Sequence, residues 1–203
     1  MKTSERYTIY IILSIISVII ALSLFNTLVK LDDTNSNLSP PRYGPLPFDR
    51  FANKTSFEVV IKAWSSRGLD IYLPTWLPNG LKPVAVWVVI RDGEVGSLAI
   101  FCYSREGRDK IDTAELTIEV STMEGLSFNK SETGEGVVTK IRGWDAYINE
   151  KAPVFHEEYQ KLYGPYAKLI EVNIGRLNYL FSGAPPITTD DIVKIVESME
   201  PTK

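Results

Sequence analysis

From Tyr7 to Val29 the chain runs YTIYIILSIISVIIALSLFNTLV, 23 residues without a charge. A helix of that length, rising about 1.5 Å per residue, crosses a hydrocarbon core about 30 Å thick. The run therefore predicts an uncleaved transmembrane anchor helix over residues 7–29. A secretory signal has a shorter apolar core of about 7–15 residues. Ala21-Leu22-Ser23 is a weak match to its cleavage site, so a cleaved signal is the alternative. Lys2 and Arg6 precede the run, whereas Lys30 is followed at once by Asp32 and Asp33. By the positive-inside rule, residues 1–6 stay in the cytoplasm and about 170 residues lie outside, on a single-pass protein of the cell membrane.

Composition accords with that placement. Residues 1–30 hold three basic and one acidic residue, leaving 19 basic and 24 acidic in the remainder. A net charge near −5 disfavours nucleic acid and anionic headgroups as electrostatic partners. One cysteine, Cys102, rules out an intrachain disulfide framework. Three Asn-x-Ser/Thr sequons, at Asn37, Asn53 and Asn129, are glycosylation candidates on an exterior face.

Residues 30–50 are rich in Pro, Asn and Ser and read as a spacer, stiffened by Pro40-Pro41, Pro45 and Pro47. Residues 51–203 then read as one extracytoplasmic α+β domain. Phe57, Val60, Ile61 and Trp64 recur at helical spacing after a Thr55 or Ser56 cap, with Gly68 as the stop. The β-rich runs 84–91 and 96–104 flank Asp92-Gly93, a hairpin signal. Residues 115–121 alternate as a strand with one solvated face. Gly143-Trp144 and Gly175-Arg176 mark two further turns between strands, and 127–136 reads as a hairpin tip. Thr188-Thr189-Asp190-Asp191 opens a last helix burying Ile192, Val193, Ile195 and Val196. The expected architecture is an antiparallel sheet of six to seven strands packed with two helices.

Tyr72-Leu73-Pro74-Thr75-Trp76-Leu77-Pro78-Asn79-Gly80-Leu81, Gly143-Trp144-Asp145-Ala146-Tyr147, Leu177–Gly183 and the helix Asp190–Met199 follow one another in the chain. Together they resemble the DUF4367 type of membrane-tethered extracytoplasmic domain, with Leu81 where that family has an aromatic residue. The resemblance implies a fold and an envelope placement, and carries over no catalytic residue.

The polar chemistry is sparse. His156 begins His156-Glu157-Glu158-Tyr159-Gln160, and a zinc HExxH motif needs histidine where Gln160 stands. Cys102 lies mid-strand among apolar residues, the setting of an inert buried thiol. Asp190-Asp191 suits a helix N-terminus. Tyr159, Tyr163 and Tyr166 are the candidate ligand-binding residues, an aromatic rim for a peptide, glycan or lipid. The expected function is thus a non-enzymatic binding or sensory domain at the cell envelope, with no cofactor and no metal. Its partners are the membrane and another envelope protein or glycan. Two alternatives stay open, a lipid- or lipoprotein-handling domain around an apolar cavity and an extracytoplasmic hydrolase using His156.

Overall fold

The computed structural model describes residues 52–91, 93–122 and 136–202. The apolar run 7–29, the spacer 30–50 and the sequon residues Asn37 and Asn129 lie outside them. The chain divides between Arg42 and Tyr43, and every described residue belongs to the second unit. Among the described residues no helix is long and apolar enough to cross a membrane.

The elements follow in the order β1 (Asn53–Thr55), α1 (Phe57–Ser65), β2 (Tyr72–Pro74), β3 (Lys82–Arg91), β4 (Glu94–Ser104), β5 (Leu116–Ser121) and β6 (Val137–Ile141). Then come β7 (Trp144–Pro153), α2 (Glu157–Tyr163), β8 (Tyr166–Ile174), β9 (Leu177–Gly183), α3 (Thr189–Glu197) and β10 (Met199–Pro201). Eight strands form one antiparallel sheet in the order β1-β3-β4-β5-β9-β8-β7-β6, while β2 and β10 pair separately. The α+β class and antiparallel sheet are as the sequence predicts. Among the described residues the counts are corrected: eight strands in the sheet rather than six or seven, and three helices rather than two. β1 is a three-residue strand without a turn signal of its own, and the seven-residue α2 has no side-chain hydrogen bond at its cap. Both are elements that neighbours stabilise more than local sequence does.

α1 and α3 cover one side of the sheet. Ser56 Oγ accepts from the Val59 amide and starts α1, whose Val60 and Trp64 are fully buried. Thr188 and Asp191 form a reciprocal capping box at α3, which buries Ile192, Ile195 and Val196. Phe101, Ile118, Ile170 and Phe181 meet them from the sheet in the main core. Each such side chain contributes on the order of 2 kcal/mol by leaving water.

Two hairpins set the register that matters below. Arg142 (φ 53°) and Gly143 (φ 86°) both take the left-handed backbone of a tight two-residue turn between β6 and β7. The Arg142 side chain is tied in, its guanidinium donating to the Met199 carbonyl at 2.6 Å and lying 5.3 Å from the Trp144 ring centre. Gly175 supplies positive φ between β8 and β9. The hairpin tip expected at 127–136 lies, apart from Gly136, outside the described residues. β5 lies inside the sheet and β6 at its edge.

Candidate functional site

Strict alternation gives the sheet a second, different face. In β5, Leu116, Ile118 and Val120 enter the main core, leaving Thr117, Glu119 and Ser121 on the reverse. In β9 the reverse positions are Asn178, Leu180 and Ser182; in β8 they are Leu169, Glu171 and Asn173. Pairing aligns these positions. One row runs across all eight strands as Lys54, Trp87, Ile100, Glu119, Leu180, Glu171, Tyr147 and Val138. Neighbouring strands stand about 4.8 Å apart, so the backbones bearing Glu119 and Glu171 are roughly 10 Å apart.

Glu171 is only 9% exposed. Its Oε1 accepts from Asn178 Nδ2 at 2.7 Å, and the same amide donates to Asn173 Oδ1 at 3.0 Å. Burial raises the Glu171 carboxyl to about 7; the Asn178 hydrogen bond pulls the other way and the Glu119 charge adds to the rise. Burial also raises the Glu119 carboxyl. Among the described residues, no ion pair includes either glutamate. Among the described residues, Glu171 is thus held by the neutral Asn178 amide and Glu119 stands in the same row without an ion pair, an arrangement that costs stability.

One end of this face is covered. Ile111 and Ala114, in the segment 105–115, pack on Ala85, Ile100 and Cys102, and Trp87 Nε1 donates to the Asp109 carbonyl at 2.8 Å. α2 lays Tyr159 on Val154, Ala167 and Ala184. The two covers are joined. Arg108 Nη1 donates to Tyr163 Oη at 2.6 Å, and Tyr163 Oη donates to the Thr113 carbonyl at 2.8 Å. His156 Nδ1 stands 3.3 Å from Asp112 Oδ2, without hydrogen-bond alignment. The expected solvated face of β5 is corrected accordingly: Thr117 and Glu119 are half-buried and Ser121 is buried.

The sequence candidates take their places around this arrangement. Tyr159 is buried, and its ring centre lies 5.1 Å from that of half-buried Tyr163, which clamps the two covers. Tyr166 is 53% exposed at the start of β8. The structure thus brings Tyr159 and Tyr163 together as packing and joining groups and leaves Tyr166 on the surface. Asn53 is exposed on β1. Gln160, in the place a second zinc histidine would take, donates to the Val154 carbonyl at 2.6 Å. Cys102 is buried, and desolvation followed by the Asp109 and Asp112 charges pushes its thiol up to about 12. At neutral pH it is a protonated, weak nucleophile.

Glu119, Glu171, Asn173 and Asn178 were not among the residues singled out from the sequence. A signal exists in LTIEVS, LIEVNI and LNYLFS, where a carboxylate or amide interrupts each apolar run on the alternate register.

No protein-family model matches the chain, and no curated protein does. A crystal structure from Bacteroides thetaiotaomicron is similar over 63% of this chain, at 17% identity and a TM-score of 0.32. The chain spans 44% of the length of that structure. A likeness of that size leaves fold and function to be read from this chain's own residues.

Proposed function

We propose that this chain is a non-enzymatic, membrane-anchored extracytoplasmic domain that binds an envelope protein or glycan through the polar face of its sheet. The observation that carries the reading is the Glu119–Leu180–Glu171 row with Asn178 and Asn173 beside it. A fold with no use for that face would fill mid-sheet positions with apolar side chains. Here buried Glu171 and half-buried Glu119 stand beside half-buried Asn178 and exposed Asn173, which suits recognition of hydroxyl and amide groups. The 23-residue apolar run and the proline spacer support the tethered placement. The protonated Cys102 thiol and the structural Gln160 favour binding over hydrolysis.

The test is protease treatment of intact cells bearing the full chain, followed by a binding assay. Residues 52–202 are expected to be cleaved or released from outside, and Glu119→Gln with Asn178→Ala to lose retention of the envelope fraction. Protection from external protease overturns the topology. Undiminished retention by the folded double variant overturns the binding face.

A further inference from the structure

Glu119 and Glu171 project from strands two apart, separated on this face by Leu180. Among the described residues, several charged groups on this face and on its covers are already engaged. Lys140 pairs with Asp145 at 2.6 Å, Lys54 with Asp109, and His156 stands by Asp112. Glu171 meets Tyr147 from β7 and Asn178 and Leu180 from β9, with Glu119 beyond on β5. A buried carboxylate flanked by neutral groups and a second acid has one inexpensive way to shed its charge, which is to keep a proton.

We infer that Glu171, biased by Glu119, is a proton switch that regulates the binding face. With the proton on, Glu171 is neutral, its carbonyl oxygen accepts from Asn178, and the face stays dry and ordered. Loss of the proton places a charge in the row beside Glu119, draws water to β8 and β9, and loosens the surface that a partner contacts. Asn178 has a donor for either state of Glu171, so the bond between them survives the change while the local field becomes more negative. Near neutrality, where burial sets the Glu171 carboxyl at about 7, a small acidification fills the switch. This regulatory consequence rests on the reading of the polar face as the binding surface.

The test is carbon-13 NMR of glutamate-labelled full chain in detergent micelles, titrated from pH 4 to 9. One glutamate δ-carbon resonance is expected to titrate at least one pH unit above the exposed glutamates. Glu171→Gln, which copies the neutral side chain, is expected to remove that resonance, and Glu119→Gln to shift its midpoint to lower pH. Titration of every glutamate below about pH 5.5 overturns the switch, and so does an unmoved Glu171 midpoint in Glu119→Gln. Should Glu171→Gln fail to fold, the Glu119→Gln arm decides alone. The titration needs no partner, so its failure is distinguishable from failure of the binding reading, which envelope retention reports.

Discussion

Glu119 and Glu171 occupy one row of the sheet on either side of Leu180, facing away from the helix-packed core. That relationship joins local alternation to function. The same period of two that sends Ile118, Ile170 and Phe181 into the core sends the two acids to the reverse face.

The contribution of Glu171 to the stability of the folded domain is expected to fall as pH rises through neutrality. The folded Glu171 carboxyl stands at about 7 against an ordinary 4.5, so the folded state holds its proton more tightly than the unfolded chain. The associated stability is fully present below about 4.5 and is lost as pH rises through about 7. Its size is about 3 kcal/mol. Denaturant titrations at pH 5 and pH 8.5 are expected to show the drop in the native chain and to show it flattened in Glu171→Gln. The raised Glu119 carboxyl acts in the same direction.

Glu115 is a buried acid of the opposite kind, because it is fully partnered. It accepts from Ser104 Oγ at 3.3 Å and from the Arg105 amide at 2.9 Å, and it pairs with the Arg105 guanidinium. Glu115→Ala leaves those donors without an acceptor at the end of β4. A loss of about 2–3 kcal/mol in denaturant unfolding is expected.

Gly136 leads into β6 against the Tyr147 ring, and a Cβ built there falls 2.0 Å from Tyr147 Cζ. Gly136→Ala is therefore expected to destabilise the domain by about 1–3 kcal/mol. Combining it with Tyr147→Ala should recover part of that loss, measured as a positive coupling in a double-mutant cycle.

Cys102 is expected to resist maleimide in the folded domain at pH 7, since burial and two aspartates hold it as the thiol. Labelling should appear only on addition of denaturant. Rapid labelling of the native chain would contradict the packing of Ile111 and Ala114 over it.

The elements with strong local signals were legible in the sequence. α1 and α3 carry their caps and 3.6-residue patterns openly, and the β3–β4 and β8–β9 hairpins carry theirs in Asp92-Gly93 and Gly175-Arg176. The sheet order was not legible, because nothing local states that β5 pairs with β9 while β6 takes the far edge. The site depended on that order. Glu119 and Glu171 are 52 positions apart in the chain, and only the β5–β9–β8 pairing sets them in one row. Proximity in sequence grouped Tyr159 and Tyr163 with Tyr166, whereas α2 turns the first two inward against Val154 and Thr113.

The most direct measurement uses Leu180→Cys, between the two glutamates, with Val137→Cys on the exposed edge strand as control. The inert Cys102 leaves a clean background. Maleimide labelling rates are compared in native membranes and after purification in detergent. A partner seated on the polar face predicts at least tenfold slower labelling of Leu180→Cys in native membranes, with Val137→Cys unchanged. Equal rates at Leu180→Cys in the two settings would contradict the assignment of this face.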